Sequence, residues 1–571
     1  MLRRLRPAYP RPGRTGWRRW LPSWRRLLGG FVASVGLAAV SSAVAYAATD
    51  IPPNLNSYAT QQDTVYFWSD GTPMARTGWV QRQAMPLKDI PEGVRWAVLA
   101  AENESFYSDP GISFKGLFRA LWRSVGEGDT DVTDLNASQA AFLASLLKGV
   151  GLYDPTLSKA NHKRAVERWS WILDRMVKTG KLSPAERAKY KKFPEPLKSA
   201  RVYDTGKQSD YLVELAQQYA KKAAHLSDQQ FDLGGYQIYT TFDRKRETAL
   251  TGAVAKARSR AKKAKPEAAR TVHYGAASVA TDGRILAVHG GPDHRTQGYN
   301  ESNAATVRAG SAFLPFVHAA GLEHGVRKTS GGPTTRITPQ TVYDGDTGVA
   351  VVTPEGPYWD RSGKKVTAHN EDGKSYGPIS LGKALARNVN TPFMRLGMDT
   401  GLNAVRETAI AAGLLPSSLG PQVPALSLGT STPGAIRMAG GYATFAAAGK
   451  HTEPYSVRRI TRNGAAVRLT TPTAHRAIGA EVAEQVSQAL TDSLNAARPA
   501  VSTANATGKS GTTADDTAAW YAGTARSVST AVVVHRMDLA RSLDPLPLKG
   551  IAGTPADSVP YAVWSGAMGL D

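Results

Sequence analysis

Three short stretches in the second half of this 571-residue chain hold groups suited to acyl transfer. The first, Arg308-Ala309-Gly310-Ser311-Ala312-Phe313-Leu314-Pro315-Phe316, offers a hydroxyl nucleophile in Ser311. The second, Ala384-Leu385-Ala386-Arg387-Asn388-Val389-Asn390-Thr391-Pro392-Phe393, offers the carboxamides of Asn388 and Asn390. The third, Thr507-Gly508-Lys509-Ser510-Gly511-Thr512-Thr513, sets a cation and hydroxyls among glycines. A serine hydroxyl is barely nucleophilic at neutral pH and needs a base beside it. The residue three positions on shares its helix face, and here it is Leu314, a hydrocarbon that accepts no proton. His318 lies two turns on, roughly 10 Å along the axis and out of direct reach. Lys509 is the amine that could swing in. The plain alternative for Ser311 is a small residue opening a helix, a common N-cap choice.

In order and spacing the three stretches resemble the S-x-x-K, S-x-N and K-T/S-G motifs of the penicillin-binding transpeptidases. The flanks agree. Ala277 to Gly291 resembles the strand pair before the nucleophile, Met438 to Ala446 the segment before the last motif, and Trp520-Tyr521-Ala522-Gly523 the strand after it. The resemblance implies that Ser311 stands at the nucleophile position, aimed at the penultimate carbonyl of a wall stem peptide. It implies a lysine base where this chain has Leu314, and a proton-relaying serine where it has Asn388. Asn390, Lys509, Ser510 and Gly511 are kept; Lys509, Ser510 and Gly511 with Thr512 belong to the strand expected to hold the oxyanion and the terminal carboxylate. The binding half of such a site is therefore present and the proton-transfer half is not. Losing a general base costs about two to four powers of ten in rate, and more where residues act as a unit.

A second cluster lies nearer the N-terminus. Glu102-Asn103-Glu104-Ser105-Phe106-Tyr107-Ser108-Asp109-Pro110-Gly111-Ile112, followed by Arg119-Ala120, resembles the first motif of the family 51 peptidoglycan glycosyltransferases, with Glu102 in the place of the base that activates the acceptor hydroxyl. Ser138 to Leu146, Tyr153-Asp154-Pro155 and the run from Arg164 to Ser183 resemble the end of that domain. The Gly-Ser-Thr-x-x-Gln-Gln stretch and the helix with a second glutamate are missing between them. Glycosyl transfer from a lipid diphosphate also needs the leaving diphosphate stabilised, and Glu102 alone does not supply that. No chain-polymerising activity is expected. The acidic run Glu127, Asp129, Asp131 and Asp134 reads as a solvated turn rather than a metal site.

The elements that must position these residues can be read from periodicity. Val94–Ala101, Ser138–Lys148 and Ala165–Lys178 carry helical apolar spacing, and Ser183-Pro184 with Glu186 reads as a helix start. Tyr236–Thr241 is β-branched and aromatic, a strand; Arg244–Ala264 is a helix. From Tyr274 the pattern becomes strand, turn at Asp282-Gly283, and strand, then alternates strands with Ala-rich helices. The basic run from Lys256 to Lys265 reads as a solvated helix face.

Net charge is +23 and there is no cysteine, which excludes disulfides, thiolate metal sites and cysteine nucleophiles. A basic balance suggests nucleic acid, but nine arginines from Arg3 to Arg26 precede any acidic residue, with Trp17, Trp20 and Trp24 among them. Leu27 to Thr49 is uncharged and long enough to cross a bilayer. The basic flank places the N-terminus in the cytoplasm. Ala45-Tyr46-Ala47 would suit a cleaved signal, but the run is longer than a usual signal core and is read as an anchor. Export removes nucleic acid as a partner and leaves the anionic wall and membrane surface. The eleven histidines do not cluster at ligand spacing and no Gly-rich phosphate loop follows a strand, so neither metal nor cofactor is indicated.

The expected fold is multidomain. A basic cytoplasmic tail (1–26), a single transmembrane helix (27–49) and a linker (50–89) precede a truncated all-α, lysozyme-like glycosyltransferase remnant (90–200). A linker with a connecting strand and helix (201–270), an α/β (α+β) transpeptidase domain of the serine β-lactamase type (271–540) and a C-terminal tail (541–571) follow. The expected role is cell-wall assembly at the membrane with impaired catalysis, binding stem peptide or a β-lactam and other wall-synthesis proteins. The alternative is an active D,D-transpeptidase or carboxypeptidase acylated at Ser311 with a non-standard base.

Overall fold

The computed structural model describes residues 63–77, 90–102, 135–148, 159–196, 208–294, 297–304, 306–498, 505–538, 544–551 and 557–570, with a few isolated positions besides. The run Leu27 to Thr49 lies almost wholly outside them. Among the described residues no helix is long and apolar enough to cross a membrane.

The helical unit holds α1 (Glu92–Glu102), α2 (Ala137–Leu146), α3 (Lys159–Lys178) and α4 (Pro184–Arg187). Helix α2 begins with a capping box between Asn136 and Gln139, and α4 with one between Ser183 and Glu186 that has Pro184 in its first turn. The apolar face of α3 buries Trp169, Ile172, Leu173 and Met176 in a small core shared with Val94, Ala97, Ala140 and Ala144. Trp169 Nε1 donates to the Ser138 carbonyl at 3.1 Å, and Arg168 Nη2 to the Ala101 carbonyl at 2.9 Å, a cation at the C-terminal end of α1 where the helix dipole favours it. These helices thus pack on a core of their own. Residues 103–134, with the rest of the Glu102 motif and the acidic run, lie outside the described residues.

Two sheets build most of the remainder. The strands, leaving unlabelled the short ladders between 342 and 380 and the pair Lys450–His451 with His475–Arg476, are β1 (Thr64–Phe67), β2 (Pro73–Thr77), β3 (Tyr236–Thr240), β4 (Val272–Ala280), β5 (Ile285–His289), β6 (Val457–Arg462), β7 (Ala465–Val467), β8 (Thr507–Thr512), β9 (Ala518–Ala525), β10 (Val528–Met537) and β11 (Pro545–Leu546). The smaller sheet has the order β7-β6-β3-β1-β2, with β1 parallel to β3 and the other pairs antiparallel. The larger is antiparallel throughout, β8-β9-β10-β4-β5, with β11 added beside β10.

Every residue of β4, β9 and β10 is buried, so both faces of the larger sheet are covered. One face carries α6 (Arg244–Ala264) and α12 (Ser558–Met568), after α5 (Gln208–Ala223), which sits with the smaller sheet. Leu250, Val254, Tyr274, Val563 and Trp564 form that layer. The other face carries the larger core, with α7 (Leu314–His324), α8 (Leu381–Arg387), α9 (Asn390–Thr400), α10 (Ala435–Ala446) and α11 (Ala480–Ala497). On α6, Lys256, Arg260, Lys262, Lys263 and Lys265 are exposed, whereas Arg258 is half-buried over the Tyr274 ring.

The stretches expected to be a linker (50–89) and a tail (541–571) carry regular elements, as does 201–270, where a strand and a helix are expected. Residues 50–89 contain β1 and β2, the edge of the smaller sheet. Residues 201–270 supply its central strand β3 and the covering helix α6, whose Asp243 N-cap accepts from Lys245 N and Arg246 N. Residues 541–571 supply β11 and α12, and Trp564 Nε1 of α12 donates to the Gly523 carbonyl of β9 at 3.2 Å. β3 and α6 are the strand and helix expected from the sequence, whereas the pairing of β1 with β3 joins residues far apart in the chain.

Candidate active site

Ser311 sits in the 3-10 turn Gly310–Phe313, which runs straight into α7. It is 4% exposed. The cap positions of the turn and of α7 are Ala309 and Phe313, and neither start carries a side-chain cap bond, so opening a helix is not the part Ser311 plays. Strand β8 presses against this turn. A Cβ on Gly511 would stand 2.5 Å from Ala312 N and 2.8 Å from Ala309 O, and one on Gly310, at φ +53°, would run into Thr512 O. Both positions require glycine for the backbones to come this close. Lys509 lies two residues from Gly511 and so on the same face of the strand.

Leu314 opens α7 with its side chain fully buried, in the core that holds Phe316, Leu385 and Phe393. His318 is also fully buried; neither ring nitrogen has a partner, and burial pushes its pKa down to about 4. It is a neutral core residue and not a base.

The second stretch folds around Asn388, which ends α8 in the left-handed conformation (φ 56°, ψ 38°). Asparagine tolerates that region better than most residues. Its Nδ2 donates to Ser510 Oγ at 3.1 Å and its Oδ1 accepts from Lys509 Nζ. One carboxamide thus ties the two strand residues together. Lys509 is 1% exposed, and burial lowers its pKa to about 7 against the opposing pull of the Asp557 and Glu371 charges. Asn390 opens α9 with its side chain half-buried.

Two residues that sequence reading passed over complete the site. Asn370, buried, accepts at Oδ1 from Asn390 N (3.0 Å), Thr391 N (3.2 Å) and Thr391 Oγ1 (3.2 Å). Its Nδ2 donates to the carbonyls of Gly345 (2.7 Å) and Lys374 (2.8 Å). Its neighbour Glu371 accepts from Thr512 Oγ1 at 2.7 Å. The only local signal was a polar turn composition, His369-Asn370-Glu371-Asp372-Gly373, which carries no hint of a partner 141 positions away. The structure therefore brings Asn388, Lys509, Ser510, Gly511 and Thr512 together beside the Ser311 turn. Glu102 is the last residue of α1, in the helical unit. Among the described residues no group of three or more His, Asp or Glu side chains is placed to hold a metal.

Comparison with known proteins agrees with this geometry. Residues 351–539 match the penicillin binding protein transpeptidase domain, and residues 70–131 match the transglycosylase family. Penicillin-binding protein 1A of Mycobacterium tuberculosis is 26% identical over an alignment of 673 positions, covering 98% of this chain and 76% of the relative. Penicillin-binding protein 1B of Escherichia coli is 28% identical over 425, covering 71% and 46%. Among solved structures, penicillin-binding protein 1A of Haemophilus influenzae superimposes with a TM-score of 0.56 at 19% identity, covering 88% of this chain and 92% of that one. Together these matches support a class A penicillin-binding protein.

Within this family's two-domain fold, the transpeptidase match contains Asn388, Asn390 and Lys509-Ser510-Gly511 but begins after Ser311 and Leu314. The transglycosylase match contains Glu102 and stops at residue 131.

Proposed function

We propose that this penicillin-binding protein takes part in peptidoglycan assembly as a binding member of its family, with glycan polymerisation lost and serine acyl transfer impaired. The observation that carries the reading is Leu314, wholly buried one turn after Ser311 at the position where the family places its base. A hydrocarbon there leaves the hydroxyl proton without an acceptor. Asn388 adds to this, since its carboxamide is committed to Lys509 and Ser510. What remains is a strand of donors shaped for a peptide or β-lactam. A relative, PonA1 of M. tuberculosis, has been solved in complex with penicillin V; it shares the fold at 23% identity with a TM-score of 0.50. The uncharged run 27–49 would anchor the protein with its bulk outside the cytoplasm, beside other wall-synthesis proteins. Purified protein incubated with a fluorescent penicillin is expected to label at Ser311 at least about a hundredfold more slowly than an S-x-x-K relative. Labelling at a relative's rate, abolished in Ser311→Ala, overturns the reading.

A second reading is favoured by Lys509. An amine with a pKa near 7 is substantially neutral at physiological pH and able to take a proton. On that reading Ser311 acylates through Lys509 as a D,D-transpeptidase or carboxypeptidase. Acylation would then rise with pH through about 7 and vanish in Lys509→Met.

A further inference from the structure

On the reading of the Lys509–Thr512 strand as the seat of a ligand carboxylate, we propose that Glu371 is a built-in carboxylate plug that occupies the strand's Thr512 hydroxyl and sets the affinity and charge preference of the groove.

The geometry has three parts. First, Thr512 Oγ1 donates to Glu371 Oε2 at 2.7 Å, so the hydroxyl at the end of the strand already serves an anion. Second, Glu371 is held there. Its neighbour Asn370 is buried and bonded on both sides of its carboxamide, to the start of α9 and to the carbonyls of Gly345 and Lys374. The turn beyond is closed by Gly373 N on the Asn370 carbonyl and by Tyr376 Oη on Asp372 Oδ2 at 2.6 Å. A side chain on so fixed a turn gives up little further freedom in reaching Thr512. Third, the other donors beside the groove are also served from within the chain. Lys509 Nζ is engaged by Asn388, and Arg308, three residues before Ser311, pairs with Asp515 at 3.3 Å.

An incoming carboxylate must therefore displace Glu371 from Thr512 and lie near its negative charge. A ligand of the same shape without a carboxylate must still displace Glu371 but escapes the repulsion. Glu371 thus lowers affinity for anionic ligands selectively, by competition at one hydroxyl together with like-charge repulsion. Glu371 is exposed, so replacing it by its isostere leaves the core intact.

The test uses the full chain carrying Ser311→Ala, so that only reversible binding is read. Benzylpenicillin and its methyl ester are titrated by calorimetry into this protein with and without Glu371→Gln, and again in a Thr512→Val background. The expected result is that Glu371→Gln tightens the acid about tenfold, tightens the ester much less, and keeps only the part due to charge repulsion when Thr512 is Val, the signature of a coupled pair. Unchanged or weaker binding of the acid overturns the plug and makes Glu371 a loop clamp or a recognition group. Equal tightening of acid and ester overturns it as well, since opening of a loop and not competition would be at work. Failure of every variant to bind either compound sinks the carboxylate-groove reading and the plug with it.

Discussion

The two walls of the Ser311 site are built from opposite materials. On one side, α7 presents Leu314, Phe316 and His318 to a packed apolar core, and the one ionisable group there is held neutral. On the other, Lys509 and Ser510 are partnered by Asn388, Thr512 by Glu371, and Asn370 by the start of α9. On the proposed reading, the polar wall holds the ligand and the apolar wall offers Ser311 no base. Recognition and chemistry are therefore separable here: the strand's backbone geometry survives through the close approach of Gly511 to Ala309 and Ala312, with no help from the base position.

The largest effect should come from converting the apolar wall. Leu314→Lys with Asn388→Ser is expected to raise penicillin acylation of Ser311 by about two to four powers of ten. Gel fluorescence over a time course reads it, and the contrast between the walls fails if the double variant labels no faster than the parent. The new lysine replaces a fully buried leucine and the serine enters a left-handed position, so a lower melting temperature should accompany the gain.

Breaking the polar wall at its anchor should cost stability. Asn370→Ala orphans the amides of Asn390 and Thr391 and two carbonyls, for a loss of roughly 2–4 kcal/mol. Urea denaturation measures this, and a loss below about 0.5 kcal/mol, the range of an ordinary surface change, would mean the network is ornamental.

Titration separates the walls more finely. Burial holds the Lys509 pKa at about 7, below its ordinary 10.5, so between those values the unfolded chain binds a proton that the folded chain does not. Stability is lowest below about pH 7 and rises with pH across that window, by at most about 1.4 kcal/mol per unit. Comparing melting curves of the parent and Lys509→Met from pH 6 to 10 should show the rise in the parent alone. A parallel pair of curves would place the charge of Lys509 in solvent.

The smallest effect is expected at Ser510, which is half-buried with one bond to Asn388. Ser510→Ala should cost about 0.5–1.5 kcal/mol. A larger loss, seen by urea denaturation, would show that the carboxamide and not the strand backbone holds the site together.

Much of this was legible in the residues. Helix Arg244–Ala264 needed only 3.6-residue periodicity, while the order of the three stretches and the residues standing at 314 and 388 gained meaning through the resemblance to the transpeptidase motifs. Such features are local, and the chain states them within a few positions. Leu314 could be known as a non-base without knowing where it points.

Tertiary structure alone decided the rest. It made Thr64–Phe67 and Tyr236–Thr240 neighbours in a sheet, turned the last residues into the helix that covers β9, and set Glu371 on a hydroxyl at Thr512. It also drew down the pKa of Lys509, which no spacing foretold, because desolvation depends on what the whole fold packs around a group. Contacts between residues far apart in the chain leave no periodic trace in it; they exist only once folding has closed the intervening loops.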